Sequence, residues 1–399
     1  MHEATIAERG EAGTLPAWGA VVSMSLGVFG LVGAEFLPAS LLTPMAAELG
    51  VTEGMAGQAV TATAAVALVT SLLIVAATRR IDRRYVLVGF SLLLILSNLL
   101  VAMAPNLPLL LAGRILLGIA LGGFWTMSAA TIMRLVPERD VPKALSILFS
   151  GVSAATIFAA PMGSYLGDIA GWRMVFVAAA GLGVLALATQ LATLPSLPPR
   201  GQSRFGTLLE VLSRKVVGIA MAAILLVFTG HFAFFTYIRP FLETVTGVGV
   251  AGISGILFAF GVANFLGNYL GAFLLQHSMR LTLALMPLVM GTLAIALASF
   301  GGDLMADAAM VALWGLAFGA VPVAWSTWIT RAVPDEAESA GGLFVAAINF
   351  AIATGAAVGG LLFDFSGIAS VFVASGAVLI VAAFTIVAGV QTRLVPKPA

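Results

Sequence analysis

A chain of 399 residues that is 60% hydrophobic and only 9% charged, with a mean hydropathy of +1.09, lies outside the composition of soluble domains and within that of integral membrane proteins. Nineteen basic and eighteen acidic residues leave a net charge of +1, which gives no reason to expect nucleic acid as a partner. With no cysteine, disulfides and thiolate metal sites are excluded.

The start, 1-16, is polar, with one Arg against three Glu in "MHEATIAERGEAG", and reads as a tail rather than a cleavable signal. Twelve apolar stretches follow, at 17-43, 54-77, 85-104, 107-133, 143-167, 171-192, 216-241, 250-275, 281-300, 304-330, 340-363 and 368-391. Each has the roughly 20 residues that a helix needs to cross a bilayer. Alternating strand patterns are absent, so the expected fold is all-α, with twelve transmembrane helices in two pseudo-symmetric six-helix halves. The halves are 17-192 and 216-392, joined by a linker at 193-215 rich in Pro, Gly and basic residues, with a tail at 393-399. A short amphipathic helix is expected within the linker, from Phe205 to Leu212.

A weak repeat relates the halves. "RLVPERD" at 134-140 answers "RAVPDEA" at 331-337, and the ordered pairs Gly118/Gly315, Gly122/Gly319, Asp168/Asp364, Gly171/Gly367 and Phe176/Phe372 follow offsets of 197 and 196. Parallel repeats of this kind recur in transporters, with the substrate site between the halves. Of the nineteen basic residues, sixteen fall in connections on the side of the termini and two, Arg173 and Arg239, in connections on the other. The positive-inside rule therefore predicts both termini in the cytoplasm.

Ionisable side chains at membrane depth are costly and mark function. Glu35 is the one carboxylate deep within a span, and Arg114 is the comparably deep base; both lie roughly 10-14 Å below the far boundary. Two readings follow: a static pair holding two helices together, or a cavity in which Glu35 loads and unloads a proton beside Arg114. His231 reaches a similar level from the other half and suits either a proton relay or a plain interior position.

A candidate pocket combines aromatic and amide side chains: Trp125, Phe235, Tyr237, Asn264, Asn268, Trp325 and Asn349. Such a set suits a flat heteroaromatic solute with hydrogen-bonding groups, for example a purine nucleoside. The bland alternatives are interfacial anchoring for the aromatics and interhelical bonding for the amides. Nucleotide-binding loops, HExxH and GxSxG are all absent, so no enzyme chemistry, metal or cofactor is expected and active transport would draw on an ion gradient.

The motifs "GRILLGIALGG" (113-123) and "APMGSYLG" (160-167) followed by "GWRMVF" resemble the major facilitator superfamily and its drug/proton antiporter branch. "EFLPASLLTPMAAELG", "ALGGFWTMSA" and "VPVAWSTWITR" are similar, within that branch, to bacterial exporters of purine ribonucleosides. The resemblance implies proton-coupled nucleoside export across a bacterial inner membrane by a monomer, with Glu35 and Arg114 in proton coupling and Gly151, Pro161, Gly163 and Gly167 as the antiporter motif. In the gating loop, Arg79, Arg80, Asp82, Arg83 and Arg84, the sequence "TRRIDRRYV" lacks both glycines of the family pattern. A broad drug or sugar exporter of the same fold is the alternative, and a non-transporting membrane sensor the rival from another class.

Overall fold

The structure is a computed structural model that describes residues 16–198, 212–333 and 337–390. The expected tails and most of the linker, including the start of its amphipathic helix at Phe205, lie outside those residues. Among the described residues there are fourteen α-helices and a short 3-10 helix at Glu138–Asp140: α1 Trp18–Ser40, α2 Leu42–Leu49, α3 Glu53–Ala77, α4 Arg83–Met103, α5 Leu107–Leu135, α6 Val141–Ala170 and α7 Trp172–Thr193, then α8 Lys215–Thr236, α9 Ile238–Thr244, α10 Val250–His277, α11 Met279–Phe300, α12 Leu304–Ala332, α13 Ala337–Ser366 and α14 Ile368–Gly389. Twelve of them are long and apolar enough to cross a membrane, as the apolar stretches predict; α2 and α9 are the short ones.

Those two short helices correct the sequence reading. The stretches 17-43 and 216-241 are not continuous spans but break at Leu41 (φ −115°, ψ 11°) and at Tyr237 (φ −110°, ψ 15°). The cause is proline. Pro44 and Pro240 each stand three residues beyond the break and have no N–H, so the carbonyls of Ser40 and Thr236 lose their helical donors. The breaks are 196 residues apart, the offset of the repeat, and hydropathy does not register them because proline is tolerated in an apolar run.

Tight helix crossings set the frame. Gly122 of α5 lies on the backbone of Ala67 in α3, and Gly319 of α12 on that of Asn264 in α10, where a Cβ would collide. The motif glycines of α6 do the same for α1: Gly151 faces the backbone of Ser25, Gly163 faces Ser40 and Leu37, and Gly167 faces Leu41. Pro161 lies within α6. The first six spans meet the last six mainly where α3 runs along α13 and α6 along α10. At the turns Gly171 and Gly367, partners in the repeat, φ is +83° and +79°, a region that residues with a Cβ rarely enter.

Candidate functional site

The site begins with Pro38, inside α1. Lacking an N–H, it leaves the carbonyl of Ala34 without its donor. Arg114 fills the gap: its Nη1 donates to the Ala34 carbonyl at 2.8 Å, its Nε to the Ala59 carbonyl of α3 at 3.1 Å, and its Nη2 more weakly to the Glu35 carbonyl at 3.5 Å. The guanidinium is 0% exposed. It therefore ties α5 to α1 and α3 through backbone oxygens, and the salt bridge of the static reading is not formed. Glu35 stays half-buried, and its carboxylate has no ion pair or hydrogen bond among the described residues.

Next to Glu35, Phe36 meets Phe235 of α8 edge-on at 5.6 Å, and Phe235 in turn lies 5.8 Å from the ring of His231 and 5.2 Å from Phe260. This row of rings links the first six spans to the last six. His231 is itself enclosed at 2% exposure, with Phe318 stacked on its face and Trp314 donating to its Nδ1 at 3.0 Å. An indole N–H can only donate, so Nδ1 accepts and the neutral ring carries its proton on Nε2.

The remaining expected pocket residues do not converge as one set. Tyr237 is a correction: the helix breaks at this residue, which carries the side chain out of the His231–Phe235 face. It is fully buried between Gly57 of α3 and Gly359 and Gly360 of α13, and its hydroxyl donates to the Ala356 carbonyl at 2.8 Å. Asn264 bonds across helices to the Gly315 carbonyl at 3.4 Å, the packing role of the bland reading. Asn268, one turn on, is half-buried. Asn349 donates back to the Val345 carbonyl of its own helix, Trp325 is buried edge-on to Trp328, and Trp125 is half-buried and stacked on Phe149 at 6.0 Å.

On the side of the termini, Asp82 caps α4 by accepting from the Arg84 N–H at 2.8 Å, and it also takes the Ser196 hydroxyl and the Leu197 N–H. Desolvation, the largest single influence, raises its pKa, but these hydrogen bonds and the charge of Arg134 together outweigh it and hold the carboxyl below the usual range. Arg83 bonds Thr78 and Arg84 bonds the Leu191 carbonyl, while Arg79 and Arg80 are exposed. The loop is thus fastened to the segment after α7.

Sequence reasoning missed two residues, Arg239 and Asp364, legible only as connection or span-end charges. For Arg239, the available signal was Pro44, which leaves the Ser40 carbonyl needing a donor.

A family model described as Major Facilitator Superfamily matches residues 24–347. The chain is 47% identical over 394 residues to the purine ribonucleoside efflux pump NepI of Escherichia coli strain K12, covering 98% of this chain and 100% of that protein, and equally so to the pump of that name from Shigella flexneri. Among solved structures, a bacterial homolog of the human lysosomal transporter Spinster, inward-facing and occupied, superposes with a TM-score of 0.77 at 16% identity over 97% of this chain and 100% of that one. A POT family transporter in complex with 5-aminolevulinic acid gives 0.78 at 12% over 94% and 96%. At such identities the structures speak for the fold alone, whereas the family match and the full-length relatives decide the kinship. This chain belongs to the Major Facilitator Superfamily.

Proposed function

We propose that this protein exports purine ribonucleosides in exchange for protons, and that Glu35 carries the proton. The observation that supports it most is the carboxylate of Glu35: half-buried, at membrane depth, without an ion pair among the described residues, and beside a guanidinium already satisfied by carbonyls. A carboxylate locked in a salt bridge would be poorly placed to exchange a proton. This one can do so without dismantling its surroundings, since Arg114 keeps its bonds in both states of Glu35. The name borne by the 47% identical relatives supports the cargo.

The two halves, 17-192 and 216-392, rock about the site between them, opening it to one side and then the other. The excess of basic residues on the side of the termini orients that side to the cytoplasm of the bacterial inner membrane. Phe235, with Phe36 opposite, offers ring faces for a base, and the His231 ring backs Phe235. Gly151, Gly163 and Gly167 hold the helix of Glu35 against α6, so the proton site moves with its half. Exchange follows if proton and nucleoside each favour reopening and exclude one another. The transporter works as a monomer, and the Asp82 loop steadies its cytoplasmic end.

The test is uptake of radiolabelled inosine and guanosine into proteoliposomes under an imposed pH gradient. Gradient-driven flux that unlabelled purine nucleosides compete away supports the reading. Flux of unrelated drugs or sugars with none of nucleosides would give the site to a broad exporter.

A further inference from the structure

Among the described residues, the end of the molecule opposite the termini is closed by five hydrogen bonds between the last six spans and the first six, and two of them serve helix termini. Ser40 closes α1 with a carbonyl that Pro44 cannot serve; Arg239 of α9 donates to it through Nη1 and reaches the Ser164 hydroxyl of α6 at 3.4 Å. Glu243, one turn along α9, accepts from Arg239 Nε at 2.7 Å and from the Thr43 hydroxyl of α2 at 2.5 Å. At the start of α3, the N–H of Gly54 has no partner within its own helix; Asp364 of α13 accepts it at 3.1 Å and takes the Thr52 hydroxyl at 2.7 Å. A cation from the second half thus caps a helix C-terminus of the first, and an anion caps a helix N-terminus, each with the sign that the helix dipole favours. Asp168, the repeat partner of Asp364 and exposed like it, caps nothing among the described residues. The device is therefore not a by-product of the duplication.

From this geometry we infer that Arg239 and Asp364 form a gate at this face, capping helix ends of one half with charges of the other so that the bonds break and re-form in every cycle. The chemistry suits repetition. A backbone group at a helix end can be served by water as well as by a side chain, so parting the halves exchanges each bond for a hydrated one rather than orphaning it. Arg239 keeps its companion Glu243 on the same helix when the halves separate, so the charge does not stand alone. Between the two caps, Tyr237 fills the crossing of α3 and α13, where Gly57 and Gly360 leave just enough room for its ring. The latch therefore closes over a packed apolar plug.

The gate rests on the alternating-access part of the proposed function but not on its cargo. Because the native chain has no cysteine, Thr43→Cys with Glu243→Cys creates a unique thiol pair across the halves. In proteoliposomes, joining the pair with a short bis-methanethiosulfonate reagent is expected to stop nucleoside flux at least tenfold, and thiol reduction to restore it. Restoration also shows that the variant folds. Flux unchanged by the cross-link would overturn the gate while leaving the export reading intact. A second measurement needs no transport. With Ala39→Cys, buried at 4% between the halves, labelling by an impermeant maleimide added at this face should rise severalfold when Arg239→Ala and Asp364→Asn are introduced. Labelling that stays at its starting rate would overturn the gate whatever the cargo.

Discussion

Two arginines serve the same helix in opposite ways. Arg114 and Arg239 each donate to a carbonyl of α1 that a proline has freed, Ala34 ahead of Pro38 and Ser40 ahead of Pro44. Every acceptor of Arg114 lies in its own six spans, and the Ala34 and Ala59 carbonyls are buried, so its bonds hold one half together throughout the cycle. Arg239 reaches across to the other half and has its own carboxylate beside it. The difference teaches that a buried cation is a fixed post or a moving latch according to whose acceptors it takes, not according to its burial, which is near complete in both.

The sharpest way to break this contrast is Arg114→Met. It orphans buried carbonyls that nothing else can serve, and unfolding in detergent should come at a free energy lower by about 3 kcal/mol, with transport lost. Arg239→Ala should cost only about 1 kcal/mol, because parting the halves lets water reach the buried Ser40 carbonyl, while altering flux severalfold. Equal losses of thermal stability in the two variants would make both arginines structural posts. Adding Pro38→Ala to Arg114→Met restores an N–H to the Ala34 carbonyl and should recover about 1 kcal/mol, a coupling that a double-mutant cycle would measure. The smallest effect is away from both sites. Asp82→Ala removes the cap of α4 and should cost about 1 kcal/mol or less at neutral pH. Since the folded carboxyl titrates below its unfolded value of about 3.9, that contribution is present above this pH and is lost as pH falls through the lowered folded value, where variant and native protein should converge.

The spans, and the place of Glu35 and Arg114 within them, were legible because hydropathy and the cost of buried charge are both written residue by residue. What they bond to was not. The partners of Arg114 are carbonyls on two other helices, and no sequence pattern names a backbone oxygen. Tyr237 is misplaced by extrapolating a continuous helix through 216-241, which ignores the donor that Pro240 lacks; the break turns its side chain into the crossing of α3 and α13, whereas Arg239, read as a connection charge, carries in its own stretch of sequence no sign of the helix end it serves. Polarity alone marks the pocket amides, whereas Asn264 is engaged across a helix crossing and Asn349 by a carbonyl of its own helix.

The most direct test of the central claim compares native protein with Glu35→Gln in proteoliposomes holding a pH-sensitive dye, recording inosine accumulation and proton movement together. The account predicts that the native protein couples the two and that Glu35→Gln still exchanges inosine for inosine while losing both gradient-driven accumulation and the proton signal. Accumulation that persists in Glu35→Gln with its proton signal intact would contradict it and move the coupling site elsewhere.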